Sequence, residues 1–149
     1  MSKPVVLFLG TGNSARSQMA EALLKWHAPG QFDIHSAGPD PQGINPLRTR
    51  VLNEIGIDIS DQRSKSVSEF LGKMSISHAI FVCTTAEEKC PKVYPFALNK
   101  HSWAFDDPAA CEGTEAEMLD EFRLIRDQID AKICKWLSES TPLLHEEVM

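Results

Sequence analysis

Apolar strand-like runs alternating with amphipathic helical stretches predict a single-domain α/β protein, a three-layer α/β/α fold with a central four-stranded parallel sheet. Three observations carry this prediction. The run over 4–9 is short and continuously apolar, the pattern of a strand buried on both faces, and His78 to Cys83 reads as another buried strand. Met118, Phe122, Ile125, Ile129, Ile133 and Trp136 recur at three- and four-residue spacing, the stripe of one long helix. Gly- and Pro-containing turns separate the periodic segments, and 149 residues suffice for one core without staples.

The first strand covers 4–9. Met19, Ala20, Leu23, Leu24 and His27 then predict a helix that stops near Pro29-Gly30. A second strand follows at about 32–37, and 38–43 read as a loop. Pro46 suits the first turn of a second helix, with Leu47, Val51, Leu52 and Ile55 on its apolar face and Gly56 as its stop. Val67, Phe70 and Leu71 suggest another short helix. The third strand is expected at 78–83 and the fourth at Ser102-Trp103-Ala104-Phe105, ending in Asp106-Asp107-Pro108. The domain is expected to span 1–138, leaving 139–149 as a polar tail. In such sheets ligands bind beyond the carboxyl ends of the strands. The loop after the first strand, Cys83 and the Asp106-Asp107-Pro108 turn all fall there.

Composition narrows the partners. A formal net charge of −6 argues against nucleic acid and anionic membranes, so any attraction for an anion must be local. The apolar run at 4–9 is too short for a signal peptide or a membrane span. Four cysteines without an export signal point to a cytoplasmic protein with reduced thiols. No cofactor is expected.

The most informative stretch is Gly10-Thr11-Gly12-Asn13-Ser14-Ala15-Arg16-Ser17. A tight loop between a strand and a helix presents backbone N–H groups and a helix N-terminus to an anion, and Arg16 closes the ring with a two-pronged donor. Thr11 to Arg16 therefore form a cradle for a tetrahedral oxyanion such as phosphate, sulfate or arsenate. Asn13 reads as a residue that stabilises the loop backbone. The same glycines imitate the G-x-G-x-x-G/A fingerprint of dinucleotide sites. That fingerprint needs an acid at the end of the second strand, whereas Asp33 lies at its start. A nucleotide P-loop is excluded, since no Gly-Lys-Ser/Thr follows.

Taken together, Thr11 to Glu21, Ser36-Ala37-Gly38, Gly56 to Ser60, Cys83, Cys90-Pro91 and His101 to Ala109 resemble the thiol-coupled arsenate reductases, relatives of the low-molecular-weight tyrosine phosphatases. The resemblance covers nearly all of 4–137. It implies a Cys-x5-Arg-Ser loop whose cysteine would stand at position 10, where this chain has Gly10. In the family that thiolate attacks arsenic or phosphorus, Ser17 donates to it, and Arg16 stabilises the transition state. The resemblance further implies a relay through Cys83 and Cys90, re-reduced by thioredoxin or a similar thiol. If 85–89 is helical, those thiols stand about 10 Å apart, beyond disulfide reach until the helix unwinds. Their spacing is too long for a zinc hook. Asp107 matches the leaving-group acid; its alternative role is to start an Asp-Pro turn.

Some arsenate reductases hold a monovalent cation on residues matching Asn13, Glu21 and Ser36 plus a later aspartate. Lys65 stands in that region here, and its ammonium is expected to replace the ion, so no metal is expected. Ala109, where phosphatases tend to carry an aromatic residue, favours the arsenate branch. Cys111 is a remote surrogate nucleophile, and Cys134 is expected to pack structurally. The function expected from the resemblance is reduction of arsenate to arsenite by a cysteine relay. Lacking its first nucleophile, this chain would bind oxyanion without turnover. A tyrosine phosphatase and a non-catalytic oxyanion-binding regulatory module are the alternatives.

Overall fold

The computed structural model describes residues 3–10, 15–38, 43, 45–60, 62–70, 75–82 and 97–140. Four parallel strands, β1 (Val5–Leu9), β2 (Asp33–Ala37), β3 (Ile76–Phe81) and β4 (Ala97–Ser102), form one sheet in the order β2-β1-β3-β4. Helix α1 (Arg16–His27) links β1 to β2, α2 (Pro46–Asn53) lies between β2 and β3, and α3 (Glu115–Ser140) follows β4. The predicted four-stranded parallel α/β fold is thus the one observed.

Strand alternation sorts β1 onto two cores. Val6 and Phe8 join Met19, Leu23, Val51, Leu52, Phe122 and Ile129, so α1, α2 and α3 all contribute to one face. Leu7 and Leu9 turn to the other face with Phe70, Ala79 and Phe81. Among the described residues that second face is covered by Phe70, after a single 3-10 turn (Val67–Glu69), where the sequence suggested a short helix. The long-helix stripe is buried as expected from Phe122 to Trp136. Its start is fixed by a reciprocal cap: Thr114 Oγ1 accepts from the Glu117 N–H, and Glu117 Oε1 accepts from the Thr114 N–H. Asn45 caps α2 by accepting from the Leu47 N–H, with Pro46 in the first turn. Gly56, at a φ of 85°, takes the left-handed turn that ends this segment, as its position predicted.

Three expectations need correction. The third strand begins two residues earlier than predicted and stops at Phe81; Val82 remains buried and donates its N–H to Leu9 O. The fourth strand is Ala97–Ser102, not 102–105. It is an edge strand with Leu98 81% exposed, so its apolar signal is weak, and the sheet-facing residues come after it. Trp103 and Phe105 are buried around exposed Ala104, and their N–H groups still donate to Phe81 O and Val82 O. His27 is exposed rather than part of the α1 core face. The helix α3 runs through Ser140, and 141–149 lie outside the described residues. No helix among the described residues is long and apolar enough to cross a membrane.

The β3–β4 edge carries an acid-sensitive element. His78 Nδ1 and His101 Nε2 lie 3.0 Å apart, and both rings meet Trp136 edge-on. Burial lowers the pKa of His78, helped by His101; burial lowers that of His101, helped by the charge of Lys132. An unfolded histidine, near 6.5, then binds more protons than the folded pair in mildly acid solution. The stability contributed by the neutral pair is complete above about pH 6.5 and is lost as pH falls through that value toward the depressed folded pKa. Urea midpoints are expected to decline between about pH 7 and pH 5.5, and the decline should flatten in His78→Gln/His101→Gln. An undiminished slope in that variant would assign the acid sensitivity elsewhere.

Candidate active site

Position 10 sits at the carboxyl end of β1, where the Gly10 N–H donates to Ala37 O at 3.1 Å. Gly10 is not among the glycines with positive φ, so its backbone does not require glycine. A Cβ built on it would stand 3.3 Å from Ser17 Oγ and 3.5 Å from Val82 Cγ2. These contacts ask the rotatable serine hydroxyl to give by a few tenths of an ångström. Ser17, 1% exposed, is therefore positioned beside whatever side chain position 10 carries.

Arg16 opens α1 directly after Ala15, which offers no capping side chain, and no acidic residue lies in the first helical turn. A helix N-terminus carries a positive partial charge, which favours an anion beside it. Arg16 is 7% exposed, and its guanidinium donates from Nη1 to Phe105 O at 3.0 Å. Its Nη2 stands 3.8 Å from Asp107 Oδ2. This sets the start of α1 against the Asp106-Asp107-Pro108 turn. Asp107 takes the turn-starting role weighed for it. Oδ1 accepts from the Ala109 N–H at 3.0 Å and caps a 3-10 turn (Pro108–Ala110), while Oδ2 faces Arg16. Asp106 is exposed. Cys111 follows the turn, half-buried, with its thiol 3.7 Å from Glu112 O. Thr11, Gly12, Asn13, Ser14, Cys83 and Cys90 lie outside the described residues.

Behind the loop, Glu21 collects buried partners. It is 4% exposed and accepts from Ser36 Oγ at 2.5 Å and from Lys25 Nζ at 2.6 Å. Lys65 Nζ lies 3.6 Å from Glu21 Oε1 and donates to Arg63 O at 2.9 Å, so the ammonium does stand against the carboxylate. Burial lowers the Lys65 pKa, with Glu21 opposing. Gln18 Nε2 donates to the same Arg63 carbonyl at 2.6 Å, and Gln62 Nε2 donates back to Gln18 Oε1 at 2.7 Å. These two amides fasten the 62–65 segment to the helix that carries Arg16.

Sequence reasoning missed Gln18, Gln62 and Arg48. Arg48 is 1% exposed, and burial pushes its guanidinium down to about 10, with the Glu21 charge opposing. Its signal was present: 48, 51 and 52 share one helical row, which is buried, whereas Ile55, expected on the apolar face, is 41% exposed. Cys134 is corrected in the opposite sense, since it is exposed rather than packed.

Residues 5–148 match the family described as low molecular weight phosphotyrosine protein phosphatase. This chain belongs to that family. Its curated relatives include the arsenate reductase of Shouchella clausii, 42% identical over 139 residues that cover 91% of this chain and 96% of the relative. The arsenate reductase of Bacillus subtilis is 38% identical, covering 89% and 94%. A solved arsenate reductase in the phosphate binding state has a TM-score of 0.73 at 25% identity, covering 91% of this chain and 98% of its own. A Corynebacterium glutamicum thioredoxin-dependent arsenate reductase has a TM-score of 0.65 at 28% identity, covering 95% and 63%. Within the family, the chain is thus similar to arsenate reductases along nearly its whole length.

Proposed function

We propose that this protein binds arsenate and kindred oxyanions on the loop from Gly10 to Arg16, in the manner of a thiol-coupled arsenate reductase stripped of its first nucleophile. Two observations carry the reading: Ser17 Oγ stands 3.3 Å from where a Cβ at Gly10 would lie, and Arg16, the residue before Ser17, faces Asp107 at 3.8 Å. The similar solved enzyme in a phosphate binding state and the thioredoxin-dependent one support an oxyanion ligand and a thiol partner.

The chemistry follows from the parts. With a thiolate at position 10, sulfur would attack arsenate and water would leave, giving an arsenylated thiol. Arg16 and the loop N–H groups would carry the oxyanion charge. Attack by Cys83 on that sulfur would expel arsenite with the bonding electron pair and form a disulfide. Cys90 would then attack Cys83, freeing the first thiol and leaving a Cys83–Cys90 disulfide for thioredoxin. Asp107 would protonate a poorer leaving group, as in phosphate ester hydrolysis. Gly10 supplies no sulfur, so this chain stops at the binding step. The non-catalytic binding module is the second reading, and Gly10 itself favours it.

Calorimetric titration is expected to show arsenate and phosphate binding, and either ligand should raise the melting temperature by mass action. Arg16→Ala removes charge-assisted hydrogen bonds worth about 1.5–3 kcal/mol and should weaken binding at least about tenfold. Absence of binding at millimolar anion, or equal affinity in Arg16→Ala, would refute the cradle.

A further inference from the structure

Away from the oxyanion loop, the last turn of α1 faces the middle of α3 across a group of three different donors. His27 Nε2 lies 2.5 Å from Asp130 Oδ1 and 3.7 Å from Cys134 Sγ. One donor atom from each residue falls within 4.8 Å of the other two. Asp130 and Cys134 are four residues apart on one helix and therefore share a face. His27 comes from the other helix, 107 positions away from Cys134, which is why no spacing motif announces the group. It closes α1, whereas Arg16 opens it, so the two places stand about 17 Å apart along the helix.

A histidine and a carboxylate alone make an ordinary surface ion pair. A thiol converging on the same histidine nitrogen adds a soft donor, and nitrogen, oxygen and sulfur together suit a borderline divalent ion. Bond lengths of about 2.0–2.1 Å to nitrogen and about 2.3 Å to sulfur put the edge of a zinc tetrahedron near 3.6 Å. The observed nitrogen–sulfur separation of 3.7 Å has that length. The nitrogen–oxygen contact must open by about 1 Å, which rotation of the Asp130 carboxylate, 39% exposed, provides.

We propose that His27, Asp130 and Cys134 form a zinc site that joins the end of α1 to α3, with a fourth position open to water. Binding exchanges the Cys134 S–H bond for an S–Zn bond and releases the proton to solvent.

The test uses cobalt(II) and zinc(II) on the full chain, kept reduced by a phosphine so that no added thiol competes. In a Cys83→Ser/Cys90→Ser/Cys111→Ser background, one cobalt per chain is expected, with a thiolate-to-metal band in the near ultraviolet and tetrahedral visible bands. Cys134→Ser should abolish the ultraviolet band, while His27→Ala and Asp130→Asn should each weaken zinc at least about tenfold. Zinc should also slow alkylation of Cys134 in the unsubstituted chain, mapped by peptide mass, a readout that depends on no variant folding. A band that survives Cys134→Ser, binding already lost in the background variant, or unchanged alkylation of Cys134 at saturating zinc would overturn the proposal.

Discussion

Gly10→Cys is expected to raise arsenate reduction in a thioredoxin-coupled assay by about 10⁶-fold, from a rate indistinguishable from buffer. The size follows from what the remaining groups can do. On the proposed reading, without a covalent nucleophile, Arg16 and the loop N–H groups would bind and polarise the anion but open no two-electron path to arsenite. The gain requires that the site accept the new side chain, and the local geometry favours this. Position 10 has no positive φ, and its Cβ would meet a serine hydroxyl at 3.3 Å and a valine methyl at 3.5 Å. The same closeness would place Ser17 to donate to a thiolate at position 10, and the N-terminus of α1 would lower that thiol's pKa further.

In that Gly10→Cys background, Cys83→Ser and Cys90→Ser are each expected to abolish multiple-turnover arsenate reduction while leaving aryl-phosphate hydrolysis intact. Reduction needs two further sulfurs to carry the electron pair out, whereas hydrolysis needs only the first thiol and water. Asp107→Asn should do the reverse to hydrolysis, lowering it by about 10²–10⁴, because loss of a general acid costs that much when the leaving group is poor. Arsenate reduction that persists in both serine variants would remove the relay and return the site to plain phosphatase chemistry.

The parts legible in the sequence were those whose signal is local and periodic. Continuous apolar runs gave β1, and the stripe from Phe122 to Trp136 gave the buried face of α3. The strand-end rule for parallel sheets brought Arg16 and Asp107 to one place without any contact information, and the structure sets them 3.8 Å apart. The resemblance led to the expectation of a Lys65 ammonium beside residues such as Glu21, and Lys65 Nζ lies 3.6 Å from Glu21 Oε1.

What escaped depends on partners distant in sequence or on an edge of the sheet. The fourth strand was misplaced because Leu98, Asn99 and Lys100 face solvent and carry no burial signature, while Trp103 and Phe105 carry a strong one just after the strand. Arg48 shares a helical row with Val51 and Leu52, but the charge that opposes its burial shift, Glu21, comes from another helix and has no sequence signal. Cys134 reads as a core thiol because it neighbours the stripe, yet a helix face changes within one residue, and Ile133 takes the buried direction.

The measurement that bears most directly on the central claim, a complete site lacking its nucleophile, is arsenite yield in a single turnover with no external reductant. The Gly10→Cys chain, fully reduced, is expected to release one arsenite per chain and to end with Cys83 and Cys90 joined, while the Gly10 chain releases none. A folded Gly10→Cys chain that binds arsenate yet releases no arsenite would contradict the account.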